Sequence, residues 1–348
     1  LEPQEREALL PDLERRGLSP SMLDVIPPNG RYFQLMRAIS SDGELLGATS
    51  LMSFPPFIAI KQLLGEGNHV GWDTGIYYRV DANRPQVAAA LLRAMAGRSL
   101  YYALFFGRLD DDIRDALPLL RHRLLETGYR LGQIDCTRYS DHSEFLSMHK
   151  RLRRHLRDHK RWGGTVHIHE GPVSSDIARQ FCDLVYSTYM HHGGIGRWQF
   201  KEYAYRVCYD FFINCVDAVH IFTKQDGTVN GLQSYIRHCE RLELSEGGFN
   251  RSQNNHHAYE AIIAESVAYA VRSGLQQVGY GGIWNAGKDR YTDAEPREKI
   301  YLLQLYTYRW QYRIMGDRLS GWAFRKYFGN RFKGASGSTS VVSRLADP

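Results

Sequence analysis

The chemistry-bearing residues of this chain concentrate in one short stretch. His149-Lys150-Arg151-Leu152-Arg153-Arg154-His155-Leu156-Arg157-Asp158-His159-Lys160-Arg161 holds seven Lys/Arg against one Asp. The stretch carries +6, the formal net charge of the whole 348-residue chain. Lys150, Arg153 or Arg154, Arg157 and Arg161 recur at three- and four-residue steps, so a helix would gather them into a cationic ridge. Phe145, Leu146, Leu152 and Leu156 supply its apolar contacts. Such a ridge suits a run of phosphates, in nucleic acid or in a nucleotide-linked substrate. The same pattern also describes a solvated helix joining two domains. Histidine pairs invite a metal reading, but His191-His192 and His256-His257 are adjacent, and adjacent side chains diverge in a helix or strand. With no HExxH or CxxC pattern, no metal site is expected. Gly281-Gly282 lacks the GK[ST] of a phosphate loop and reads as a strand end.

The elements that must position these residues are written twice. Asp42-Gly43 lies between strand-like runs Tyr32–Arg37 and Ala48–Phe54, and Asp226-Gly227 lies between His220–Lys224 and Leu232–Arg237. Asp-Gly between such runs is a hairpin signal. In each half a further strand, an Asn-bearing loop, a helix, a capping Gly and another strand follow. These are Gly75–Val80, Asn83, Gln86–Met95, Gly97 and Leu100–Phe106 in the first half. In the second they are Leu242–Phe249, Asn254-Asn255, His257–Val271, Gly274 and Gln276–Tyr280. Between the halves, Leu119–Thr127 reads as helix and Leu131–Thr137 as strand. After the basic helix, Gly163-Gly164 breaks the chain before a strand at Thr165–His169, a helix from Ser174 to about Tyr189 and a second helix at Lys201–Phe212. Tyr301–Trp310 is a last extended stretch, and the Gly/Ser-rich tail from Gly334 reads as flexible.

Composition fits a soluble two-domain protein, with 43% apolar and 24% charged residues. Five unclustered cysteines (Cys136, Cys182, Cys208, Cys215 and Cys239) point to reduced thiols and a cytoplasmic address. No apolar run approaches the roughly 18 residues of a membrane-spanning helix.

This order of elements resembles the GNAT superfamily of N-acyltransferases. More specifically it resembles the tandem-GNAT proteins of the Fem-like group, which includes peptidoglycan-bridge aminoacyltransferases and aminoacyl-tRNA-dependent transferases of natural-product pathways. The resemblance spans about residues 30–333. It is carried by the Ser147-x-x-Lys150-Arg151-x-Arg153-Arg154-x-x-Arg157 helix, by the passage from Glu246-Gly247-Gly248-Phe249-Asn250 to Tyr259-Glu260-Ala261-Ile262-Ile263, and by Gly281-Gly282 followed by Lys288-Asp289-Arg290-Tyr291. The implied fold is α/β (α+β), with two GNAT-like domains, each a mixed, mostly antiparallel sheet flanked by helices. Their implied bounds are 1–142, a degenerate N-terminal copy; 143–162, the basic linking helix; 163–333, the catalytic copy; and 334–348, the tail.

CoA-dependent GNATs hold the diphosphate on a Gly-rich loop that opens the helix after the fourth strand. The corresponding segments, Asn250–His257 and Asp81–Pro85, contain no glycine. The resemblance therefore implies aminoacyl-tRNA as donor, a small-molecule amine as acceptor, no cofactor and a monomer. The ridge of Lys150, Arg153, Arg154, Arg157 and Arg161 would touch the tRNA, with Arg325, Lys326, Arg331 and Lys333 extending the surface. Aminolysis of an activated ester needs orientation, one proton acceptor and oxyanion stabilisation rather than a protein nucleophile. The implied catalytic residues are Lys288, for charge stabilisation, Glu246, at the strand end where GNAT enzymes place a base, and Tyr259. His191, His192 and Trp198 would rim the acceptor pocket, with Tyr235, Asn250, Asn254, Gly281, Gly282 and Arg290 as further substrate contacts. Two alternatives stand beside this reading: an acyl-CoA-dependent N-acyltransferase, and a non-catalytic nucleic-acid-binding protein.

Overall fold

Asp226 and Gly227 both adopt positive φ, 51° and 77°. A two-residue type I′ hairpin turn requires this, and Asp-Gly supplies it cheaply. The computed structural model describes residues 1–16, 20–23, 33–53, 61–64, 76–97, 103–107, 111–191, 201–250, 257–282, 291–292 and 299–305. In it the turn joins β8 (Ala218–Gln225) to β9 (Thr228–His238). The Asp42-Gly43 turn joins β1 (Phe33–Ile39) to β2 (Leu45–Ser53), with Gly43 at φ 85°. There Ser40 Oγ accepts from the Asp42 and Glu44 N–H groups at 3.3 and 3.1 Å.

The remaining strands are β3 (Lys61–Leu64), β4 (Tyr77–Tyr78), β5 (Ala103–Gly107), β6 (His122–Asp135), β7 (Thr165–Glu170), β10 (Arg241–Phe249), β11 (Gln277–Gly282) and β12 (Lys299–Leu305). Among the described residues they form one sheet in the order β1-β2-β3-β5-β12-β6-β11-β10-β9-β8-β7, with β4 on β2. Among the described residues only β3/β5 and β10/β11 pair in parallel; the other pairs are antiparallel. A helix connects each parallel pair, as parallel strands require: α2 (Arg84–Gly97) before β5, and the helix Ala258–Arg272 before β11. This is the expected mixed, mostly antiparallel α/β architecture.

The single helix expected over 143–162 is broken at His149, between His142–Met148 and Lys150–Arg161, and a second expectation fails. Leu119–Thr127 is not helical: after α3 (Asp111–Ala116) and a short 3-10 turn, His122–Asp135 runs as one 14-residue strand. The cause is non-local. The first part of β6 pairs with β12, nearly 180 residues later in the chain, and its end pairs with β11. Those partners override the local helix pattern. β12 in turn lies between β5 and β6, so the sheet of the first half is completed by a strand from the end of the described chain.

Helices cover both faces of the second-half sheet. α6 (Ser175–His191), a π-helical turn (Tyr203–Cys208) and α7 (Tyr209–Asn214) bury Phe181, Phe211 and Phe212 against Phe222, Leu232 and Ile236. α1 (Pro3–Arg15) adds Leu9 and Leu13 to the same core. On the other face α4 (His142–Met148), α5 (Lys150–Arg161) and α8 (Ala258–Arg272) bury Phe145, Leu152, Ile262 and Val267 against Ile221, Tyr235 and Leu242. Among the described residues no helix is long and apolar enough to cross a membrane.

Candidate functional site

β10 and β11 pair only through Arg241/Gln277, Leu242/Val278 and Glu243/Gly279. β10 then runs on to Phe249 and β11 to Gly282. The sheet therefore opens between the carboxyl ends of two parallel strands, the place where α/β sheets offer a crevice to a ligand. Gly279 allows the strands to meet at the apex, since a Cβ there would overlap the Glu243 carboxylate.

A bulge aims the next carboxylate. The β9/β10 register shifts between Leu244 and Glu246, so Glu243 faces Ile236 and Glu246 faces Ser234. Ile236 and Ser234 are two apart and share a face, so the bulge brings both glutamates to the same side. Without it, residues three apart would point oppositely. Glu246 is only 4% exposed. Tyr203, from the π-helical turn, donates to its Oε1, and Tyr189 of α6 donates to Oε2 at 3.5 Å. Burial, then nearby Cys208 and Glu246, pushes the Tyr203 phenol well above its ordinary value, so it remains a proton donor. Burial also pushes the neighbouring Cys182 thiol up to about 12, and the Cys208 thiol well up, which keeps both out of thiolate chemistry. α6 approaches β10 closely: a Cβ on Gly248 would lie 2.5 Å from the Leu184 carbonyl carbon. The Phe249 N–H donates to Thr188 Oγ1 at 2.9 Å, fixing the strand end to the helix.

The cationic ridge stands on the opposite face. α5 buries Leu152, His155 and His159 and leaves all seven of its Lys/Arg exposed. Its inward stripe thus uses two histidines beside the expected leucines. α5 packs on α8, where His155 stacks on His257 with ring centroids 4.0 Å apart and planes at 11°. A groove of about 580 Å³ opens there, lined by Lys150, Arg151, Arg154, His155, Asp158 and His257. His257 precedes α8 at φ 63° and provides no side-chain cap, so the first N–H groups of α8 add positive potential to the groove.

The other sequence-nominated residues scatter. Tyr235 does not line a cleft: it is fully enclosed against Tyr280 and donates to Gln233 Oε1 at 2.6 Å. Its place in the alternation of β9 turns it into the α8 core. Tyr259 packs edge-on against Phe249 at 5.6 Å, and burial pushes its phenol above the ordinary value. It lies on the α8 side of the sheet, away from Glu246, so the two do not converge. The Asn250 N–H donates to the Asn230 carbonyl at 2.9 Å. His191 is exposed at the end of α6, and Gly281 and Gly282 end β11, Gly282 beside Leu131. Lys288, Arg290, Asn254, His192 and Trp198 lie outside the described residues. Sequence reasoning passed over Tyr203, His155 and Glu260. His257-x-x-Glu260 at helical spacing was a signal for the last.

No protein-family profile matches the chain. No curated protein sequence matches it. Solved structures do. The C-terminal domain of an Agrobacterium fabrum protein assigned as a lysylphosphatidylglycerol synthetase superposes with a TM-score of 0.55 at 13% identity, over 86% of this chain and 91% of that one. L-PGS from Bacillus licheniformis gives 0.52 at 15% identity, over 88% and 93%. A tandem GNAT protein from the clavulanic acid biosynthesis pathway gives 0.47 at 10% identity, over 81% and 86%. The chain shares its mixed α/β fold with the first two of these structures. At these identities the likeness is one of architecture, and the chemistry has to be argued from the chain's own residues.

Proposed function

We propose that this protein transfers an aminoacyl group from aminoacyl-tRNA to an amine acceptor, forming an amide. The observation that carries the reading is the outward display of seven Lys/Arg on α5 beside the N-terminus of α8, with one ion pair involving them among the described residues, Arg154–Asp158 at 3.9 Å. Among the described residues little intramolecular charge competes for that surface, and a polyanionic donor would neutralise it. Lysylphosphatidylglycerol, the product in the name of the A. fabrum neighbour, carries a group of the same aminoacyl class.

In the proposed reaction the acceptor amine attacks the ester carbonyl, the tetrahedral oxyanion collapses, and the ribose hydroxyl leaves. The amine gives up one proton and the departing oxygen gains one. Glu246, held by Tyr203 and Tyr189 next to the strand opening, is the group we assign to accept and return it. The reading calls for no resident cofactor.

The test is binding of purified protein to bulk aminoacylated tRNA and to acetyl-CoA at two salt concentrations. Salt-sensitive tRNA binding that the double variant Arg153→Glu/Arg157→Glu weakens, with its log–log salt slope reduced by about 2, supports the proposal. Micromolar acetyl-CoA binding with tRNA affinity indifferent to salt and to the double variant overturns it in favour of an acyl-CoA donor.

A further inference from the structure

We infer that His155, His257 and Glu260 form a binding site for a divalent transition-metal ion of the zinc type, in the groove between α5 and the first turn of α8. One donor atom from each residue lies within 4.8 Å of the other two. Two imidazole nitrogens and a carboxylate oxygen match the borderline preference of zinc, not the all-oxygen sets of magnesium or calcium.

The three residues are placed by independent parts of the fold. His257 and Glu260 are three apart at the start of α8 and so share a face. His155 comes from α5, more than a hundred residues away, on the stripe that buries Leu152 and His159. It is 8% exposed, yet among the described residues its Nδ1 has no hydrogen-bond partner in good geometry. Glu260 Oε1 is 3.3 Å away, within ion-pair range but not in hydrogen-bonding geometry. A buried donor-capable atom left in this state calls for a missing partner. His257 adds a second sign, being a non-glycine residue at φ 63°. Such conformations cluster at functional sites.

Charge limits what can bind. Lys150, Arg151 and Arg154 line the same groove, with Asp158 opposing them. These cations are exposed, and Arg154 already lies 3.9 Å from Asp158. A hard cation held by charge alone would be repelled. An ion bonded through imidazole lone pairs depends far less on net charge. The stacked rings direct their lone pairs along parallel planes, so loading requires His257 to turn out of the stack. Its side chain is 36% exposed. His155 and His257 line the groove, which supplies an entry path.

The decisive experiment is calorimetric titration of the chelator-treated, tag-free full chain with ZnCl2, paired with CoCl2 titration followed by visible absorption. One ion per chain is expected. His257→Ala and Glu260→Gln should each weaken binding about tenfold or more, with native circular dichroism, while His169→Ala at an exposed histidine outside the groove leaves it unchanged. Zinc should raise the melting temperature of the wild type and not of the two groove variants. Absence of a stoichiometric ion, or wild-type affinity in both groove variants, overturns the inference. Because the readout is ion binding, the result is separate from whether aminoacyl transfer occurs.

Discussion

Tyr203 donates its phenolic hydrogen to Glu246 Oε1 across the gap between the π-helical turn and β10. The extra residue of a π turn redirects the side chains around it, and such turns recur at functional sites. Tyr203→Phe removes the donor and keeps the ring. A hydrogen bond to a charged group contributes about 1.5–3 kcal/mol, so the urea-denaturation midpoint should fall by that equivalent. Glu246→Gln should lower any measured transfer rate by about 10²- to 10⁴-fold while leaving tRNA binding intact. A Gln variant with full activity would remove Glu246 from the chemistry.

His220 gives a pH-dependent prediction. It is fully buried among Phe181, Phe211 and Phe212, with Nδ1 2.8 Å from Ser234 Oγ. Burial, with His169 adding to it, lowers its pKa from 6.5 to about 3. The folded state therefore binds fewer protons than the unfolded state between these values. Stability from keeping the ring neutral is complete above about pH 6.5 and is lost as pH falls toward 3, by about 1.4 kcal/mol per unit. His220→Leu removes this dependence. Between pH 7.5 and 5.0 the stability gap between wild type and variant should shift by about 2 kcal/mol in favour of the variant, read from paired urea titrations.

How much of this was legible depended on the reach of each interaction. The Asp-Gly turns, the order β10–α8–β11 and the amphipathic α5 were readable because their causes lie within a few residues. β6 was misread at Leu119–Thr127 because β12 and β11, its partners, are distant in sequence. The direction of Glu246 depends on a bulge that alternation alone does not reveal, and Tyr235 turned inward for the same period-two reason. His257 looked unable to share a ligand with His256, which lies outside the described residues. The His257 ring stacks on His155, which only the packing of α5 on α8 brings near.

Two glycines separate crowding from conformational strain. A Cβ on Gly248 would meet the Leu184 carbonyl carbon at 2.5 Å and the Val185 nitrogen at 2.6 Å. Both are helix backbone and cannot turn aside. Gly248→Ala should cost about 3 kcal/mol and loosen α6 from β10. Gly227, at φ 77° with nothing within 4 Å of an added Cβ, faces only a backbone penalty. Gly227→Ala should cost about 1 kcal/mol. Thermal denaturation of both variants checks the order, and equal losses would contradict the close approach of α6 to β10.

Asp12 anchors α1 to the first half of the chain. Its side chain is fully buried, and Arg84 at the start of α2 pairs with Oδ1, where Arg15 also lies at 3.3 Å; Arg16 lies 3.6 Å from Oδ2. Arg84 also reaches Asp112 of α3 at 3.4 Å, so the Asp12–Arg84 pair ties α1 to α2 and, through the same guanidinium, to α3. Removing one partner of a buried pair leaves the other charge uncompensated, which typically costs about 3–5 kcal/mol. Asp12→Ala should fall in that range. Arg15 is half exposed and its pair is screened by solvent, so Arg15→Ala should cost less than about 1 kcal/mol. α1 also contributes Leu9 and Leu13 to the core beneath α6 and α7. Loss of the Asp12 anchor should therefore raise amide exchange in Phe211 and Phe212 as well as in α1, measured by hydrogen–deuterium exchange. Protection lost in α1 alone would show that the helix is held by its leucines and not by the buried carboxylate.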